Sequence, residues 1–248
     1  TPRVSDCPDV GHACGCTIFD ARHLGILRTR WAGMKPIVFL LAFVAALGSA
    51  ATFGREYRVA YFARSPELSV FETLATKDGI PDVPLSSRSM REMFETCGQV
   101  QQGSIYRFQP PDTRLAIDAA CAGLARSALE RNPTYGGAHT ILMLSSNTAN
   151  EIADALVLSR LTAPRESWHA KLRLRKGLGL YGTGQPPLDS ALENDIGFMV
   201  KSAAGRVWLA RFYQSEPALR ATLTALIDRS PDMFKAGFLQ EVRRLGRQ

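Results

Sequence analysis

The spacing of apolar residues changes character once along this chain. Residues 36–53 form a run of eighteen positions without a charge. Beyond Phe53, apolar residues recur three and four apart, the mark of helices with one packed face. Eighteen residues is about the minimum that crosses a bilayer as a helix, and so uniform a run has no polar face for water. The later stripes are shorter. Leu68, Phe71 and Leu74 form one, and Met90, Met93, Phe94, Cys97 and Val100 another. Leu115, Ala119, Ala122, Leu124, Ala128 and Leu129 give a small, close-packing face. Phe234, Phe238, Leu239, Val242 and Leu245 form the last. The one short alternation, Lys171-Leu172-Arg173-Leu174-Arg175, sits among helical signals, and no run of period two is bounded by hairpin turns. The predicted fold class is all-α.

Capping and breaking residues divide these stripes into elements. Ser65-Pro66-Glu67 reads as a helix start with a capping Ser, Pro at the first helical position and an acid in the first turn. Gly79 is a stop, and residues 80–85, with Pro81 and Pro84, are a linker. Ser86 or Ser87 opens the next helix, and residues 102–111 are a loop closed by Pro110-Pro111. Asp112-Thr113 caps a long helix ending at Asn132-Pro133. Shorter helices follow over 136–146 and from Asn147 or Thr148 to Leu161, where Thr162-Ala163-Pro164 breaks the chain. A helix from near Arg165 carries Trp168, Leu172 and Leu174. Gly177, Gly179, Gly182, Gly184, Pro186 and Pro187 then mark the strongest internal boundary. Helices over 188–202, 205–214 and 216–229 follow, and Ser230-Pro231-Asp232 caps a last one.

The apolar run has three readings. In the first, Lys35, with Arg28 and Arg30 behind it, stays cytoplasmic, and residues 34–54 are an uncleaved transmembrane anchor. In the second, Met34-Lys35, residues 37–47 and Gly48-Ser49-Ala50 are the charged, apolar and cleavage regions of a signal peptide. The third is a buried core helix. Either of the first two places the body on the periplasmic side of an inner membrane, single-pass or released. Residues 1–33 lack periodicity and precede a natural start at Met34, so they are expected to be a disordered or non-native leader. Their Cys7, His12, Cys14, Cys16 and His23 are residue types that bind zinc, but the spacing matches no standard finger, and no metal is expected. The remaining divisions are a spacer with a short helix over 55–85, a repeat-like region over 86–180 and a C-terminal helical region over 181–248.

Composition narrows this only a little. The chain is 46% hydrophobic and 21% charged, enough to fill a core and too apolar for a disordered chain. Of its net charge of +7, the chain beyond position 50 holds 25 basic against 20 acidic residues. That mild excess excludes a nucleic-acid-binding signature. In an oxidising compartment Cys97 and Cys121 can pair; the other reading makes them two small core residues.

Ala128-Leu129-Glu130-Arg131-Asn132-Pro133 is followed by Ala138, and Pro164 stands 31 residues after Pro133. A helix-break-helix period of about 34 residues with Pro at the break marks tetratricopeptide-like solenoids, whose helix pairs bury their faces by stacking. The repeat is degenerate: its period is short, and Gly136-Gly137 interrupt it. On these residues, and on Ala163-Pro164-Arg165-Glu166-Ser167-Trp168, Leu209-Ala210-Arg211-Phe212-Tyr213, Pro217, Phe238-Leu239 and Val242-Arg243-Arg244, the chain resembles a family of short bacterial membrane-anchored proteins with a tetratricopeptide-like middle. The resemblance implies a setting beside polysaccharide synthesis and export, and brings no catalytic residue with it.

Candidate chemistry is sparse. Trp168, His169, Lys171, Arg173, Arg175 and Lys176 cluster within nine positions. The cations suit lipid headgroups or an acidic glycan, and the indole suits a sugar ring. The plainer reading is the solvated face of a helix, with Trp168 filling the core between repeats. His139 is either a concave-face ligand residue or a satisfied surface histidine. Glu193 and Asp195, two apart on one helix, point in divergent directions and do not form an acid/base pair. Ser145, Ser146 and Ser190 have no visible His–Asp partners, and the glycines of 182–184 lack a phosphate-loop ending. The expected function is therefore non-enzymatic: a membrane-tethered scaffold for a protein partner of a cell-envelope polysaccharide assembly, without cofactor or nucleic acid. The alternative is a glycan-binding or glycan-modifying envelope protein.

Overall fold

The computed structural model describes residues 35–247; the expectations for residues 1–33, zinc included, fall outside the described residues. Among these residues there are helices and no strands. The chain divides into two compact units, one ending at Ala51 and the other running from Thr52 to Gln248.

Helix α1 spans Lys35–Arg64. In the first unit its side chains are exposed all round, including Ile37, Phe39, Leu41, Phe43 and Leu47. It is long and apolar enough to cross a membrane, and none of its apolar window is buried inside the protein. The helix continues eleven residues past Phe53, so the expected spacer begins as helix.

In the second unit, α2 (Glu67–Thr76), α3 (Ser87–Gln102), the single turn α4 (Ser104–Arg107) and α5 (Pro111–Arg131) come first. Then follow α6 (Gly136–Ser145), α7 (Ala149–Thr162) and α8 (Ser167–Gly177). The last four are α9 (Pro186–Lys201), α10 (Ala203–Ser215), α11 (Arg220–Ile227) and α12 (Asp232–Leu245). Packing runs mainly between chain neighbours: α5 with α6, α6 with α7, α7 with α8, α8 with α9, α9 with α10. A second set skips one or more elements: α2 with α5, α3 with α5 and α6, α6 with α8, α7 with α9, α10 with α12. One continuous apolar core extends from Val59 and Phe62 of α1 to Phe238 of α12.

Local sequence accounts for most boundaries. Ser86 caps α3 by accepting from the Ser89 amide at 3.1 Å, Thr148 caps α7 by accepting from Glu151, and Ser202 caps α10 by accepting from Gly205. Each satisfies an amide that the first turn leaves without an intrahelical acceptor. Three expected caps are displaced. Ser65 donates back to the Tyr61 carbonyl at 2.8 Å, and Pro66 flanks α2 instead. Pro110 and Pro231 do the same for α5 and α12, ahead of Asp112 and Asp232 in their first turns. A Pro at such a position has its φ preset for a helix entry and needs no side-chain bond. The expected loop over 102–111 contains α4, and the expected helix over 216–229 splits into a 3-10 turn at Pro217–Leu219 and α11. The Gly- and Pro-rich stretch is a turn between packed helices α8 and α9, with Gly182 and Gly184 at φ +78° and +89°.

Close approach fixes two glycines. A Cβ on Gly205 would stand 2.0 Å from the Met199 carbonyl oxygen, and one on Gly136 2.5 Å from the Ala163 Cβ. Cys97 of α3 and Cys121 of α5 form a buried disulfide, with Cα atoms 6.0 Å apart and a separation of 24 positions in sequence.

Candidate binding groove

Helix α8 sorts its residues by face. Positions 168, 171, 172 and 175 fall on one side and 169, 170, 173 and 174 on the other, as 3.6 residues per turn requires. The first set opens on a groove of about 720 Å³ that also takes Gln99 and Gln102 from α3, Trp208 from α10 and Glu67 from α2. The second set turns inward: Arg173 is fully buried and His169 nearly so. The expectation of one solvated basic cluster is therefore corrected. Trp168, Lys171 and Arg175 are brought together at the groove, while His169 and Arg173 belong to the interior. Lys176 leaves the cluster as well, donating to the Leu144 carbonyl at 3.0 Å.

In the groove, Arg175 donates to Gln102 Oε1 at 3.2 Å and sets its guanidinium 6.0 Å from the centre of the Trp208 ring. Burial, and then the charge of Arg107, lowers its basicity, with Glu216 opposing. Trp208 stacks on Phe212 with ring centres 5.1 Å apart. Trp168 donates from Nε1 to Glu166 Oε2 at 3.3 Å, and its ring lies 3.8 Å from that of His169. The wall thus offers two indoles, two cations and the carboxylates of Glu67 and Glu95. Glu95 already accepts from Arg91 at 2.8 Å.

Behind the groove lies a buried polar chain. Arg173 grips Asp195 with both ends of its guanidinium, Nε to Oδ2 at 2.6 Å and the second amino group to Oδ1 at 2.8 Å. Arg160 adds a second cation 3.3 Å from Asp195. Burial pushes the Asp195 carboxyl up, and the Arg173 bond and the two positive charges oppose it. Arg173 also donates to Ser159 Oγ at 3.0 Å; Ser159 and Thr140 hydroxyls are 2.6 Å apart; Thr140 is 2.6 Å from His169 Nδ1; His169 Nε2 is 3.3 Å from Glu166. Burial first, then the charges of Arg173 and Arg91, hold the imidazole down at about 3, so it is neutral at pH 7. The Thr140 hydroxyl also lies 2.9 Å from the Gly136 carbonyl, to which it donates, so its one proton is shared between that carbonyl and His169 Nδ1. Residues of α6, α7, α8 and α9 are joined by this chain.

The remaining candidates are dispersed. His139 is buried rather than on the surface, with Nε2 2.9 Å from the Pro133 carbonyl. Glu193 accepts from Tyr181 at 2.8 Å and pairs with Arg229, away from the buried Asp195. Ser145 accepts from Gln101 at 2.9 Å, Ser146 donates to the Leu142 carbonyl, and Ser190 accepts from Asn194. Gln101 also donates to Asp118, which accepts from Tyr106 at 2.7 Å. Trp208, Gln102 and the Gln101–Asp118–Tyr106 cluster escaped the sequence reading because each is a lone polar or aromatic residue on a helix. The one signal for Trp208 was its place beside Leu209–Tyr213.

No family model matches the chain, and comparison with curated proteins and with solved structures found no match.

Proposed function

We propose that this protein is a non-enzymatic, membrane-tethered adaptor whose body is a degenerate tetratricopeptide-like solenoid. Its groove receives a protein partner of a cell-envelope polysaccharide assembly. The observation that carries the reading is the groove's composition. Trp168, Lys171, Leu172 and Arg175 from one helix face Trp208 and Gln102 from two others, and aromatic and Arg side chains dominate the energetics of protein interfaces. Support for the solenoid comes from the order of neighbours. Taking α3, α6 and α8 as the first helices of successive units, α3 packs on α6 and α6 on α8, and the second helices α7 and α9 also pack together. Two of these first helices, α3 and α8, line the groove together with α10, and inner helices of a solenoid line its concave surface. Support for the tether is the apolar length of α1, and the buried disulfide fits export to an oxidising compartment.

A second reading is favoured by the pair of indoles flanked by cations: an acidic glycan in the same groove. A native pull-down of the full protein from solubilised membranes, with protein and carbohydrate analysed together, separates the two. The adaptor reading expects a polysaccharide polymerase or export component with the native chain and its loss with Trp208→Ala. Bound carbohydrate without a protein partner would replace it with the glycan reading.

A further inference from the structure

The part of α1 inside the second unit uses one side only. At 100° per residue, Arg55, Glu56, Val59, Phe62 and Ala63 share a face. That face is turned to the body: Val59 and Phe62 are buried at 0% and 5% exposure. Glu56 accepts from the Leu85 amide at 2.8 Å and from the Ser86 amide and hydroxyl, and Arg55 pairs with Asp82. The opposite face carries Phe53, Tyr57 and Tyr61, four residues apart and exposed at 71%, 60% and 69%, with Arg64 beside them. Phe53 and Tyr57 stack on one another at 6.2 Å.

We infer that this aromatic face is a membrane-interface contact: Phe53, Tyr57 and Tyr61 lie in the headgroup layer of the bilayer that the same helix crosses. The inference rests on the reading of α1 as an anchor. Three observations select lipid as the occupant. The face is continuous along one helix with the apolar run, so its first ring stands where that run ends. Tyr has an apolar ring and a polar tip, and is enriched at membrane–water boundaries for that reason. Arg64 on the same face supplies a guanidinium to anionic headgroups. From Phe53 to Tyr61 the helix rises about 12 Å, more than the roughly 5–8 Å of one headgroup layer. Helical side chains lean back toward the N-terminus, here toward the apolar run, which brings the Tyr61 ring nearer the same layer.

The test uses the full chain in vesicles of phosphatidylethanolamine and phosphatidylglycerol. A photo-crosslinking phenylalanine analogue replaces Tyr57 or Tyr61, with Phe39 as a reporter of insertion and the exposed Arg126 of α5 as a control. All four positions are exposed, so the fold survives the exchange. The expected result is lipid adducts at 39, 57 and 61 and none at 126. Adducts at 39 without any at 57 and 61 overturn the inference and leave the anchor standing. Adducts at 57 and 61 without any at 39 overturn the anchor reading and, with it, the inference as stated. Crosslinks from 57 or 61 to a second copy, or no adducts at all three positions, overturn the inference.

Discussion

At the scale of single residues, the largely apolar interior contains a buried charged site. Arg173 and Asp195 are both at 0% exposure and make a two-pronged pair. Removing Asp195 leaves two guanidiniums without their carboxylate, and removing Arg173 leaves Asp195 with Arg160 alone, 3.3 Å away. Asp195→Ala and Arg173→Ala should each cost about 3–5 kcal/mol of unfolding free energy in a denaturant titration. The joint change to Arg173→Met and Asp195→Leu should recover most of that; a double variant as weak as the singles would mean the pair does more than neutralise itself. His169 gives a pH dependence. Its ordinary value of 6.5 is lowered to about 3 in the folded protein. Between these values the unfolded chain binds a proton that the folded chain does not, so stability rises with pH across that window. It is fully present above about 6.5 and falls as the solution is acidified. Replacing His169 by Gln should flatten that part of the stability–pH curve, whatever it does to the absolute stability.

Sequence reading reached some of these residues and misplaced others, for a physical reason. Six basic or aromatic residues within nine positions of α8 look like one patch, but a helix turns 100° per residue. Consecutive positions therefore cannot share a face. The spacing 168, 171, 172, 175 was visible; which side faces the core was not, because both sides mix Leu with cations. Long-range partners such as Asp195 for Arg173 and Gln102 for Arg175 are set by packing between helices, and no local pattern announces them.

At the scale of elements, caps were legible in part: Ser86 and Thr148 stand where helix starts were expected, while Ser202 was expected at the end of a helix. Ser86, Thr148 and Ser202 each accept from an amide three residues on, and Ser86→Ala should cost about 1 kcal/mol. That cap is reinforced from outside by Glu56, so the same substitution should also loosen residues 52–64 of α1 from the start of α3, seen as faster amide exchange at Val59 and Phe62. The displaced caps all involve Pro, whose preset backbone competes with the hydroxyl or carboxylate next to it. Close contacts were invisible in the sequence: Gly205→Ala puts a methyl against the Met199 carbonyl and should destabilise by more than the few tenths expected for an exposed helix position. The disulfide between α3 and α5 closes a loop of about 25 residues, worth about 3.5 kcal/mol by chain entropy. Reduction of the native chain should lower its denaturation midpoint, and the Cys97→Ala, Cys121→Ala variant should no longer respond to reductant.

At the scale of the whole molecule, the all-helical class and the apolar run of α1 were legible because both depend on periodicity and length. The groove was not, since it is assembled from residues as far apart in sequence as Glu67 and Trp208. The central claim is that this groove is the surface the protein uses. In cells, a photo-crosslinking residue in place of Gln99, exposed at the groove wall, should give a discrete adduct with a protein partner. The same residue in place of Arg126, exposed on α5 and outside the groove lining, should give none. Loss of the Gln99 adduct in the Trp208→Ala background would complete the result. Equal adducts at both positions, or none at Gln99, would contradict the account.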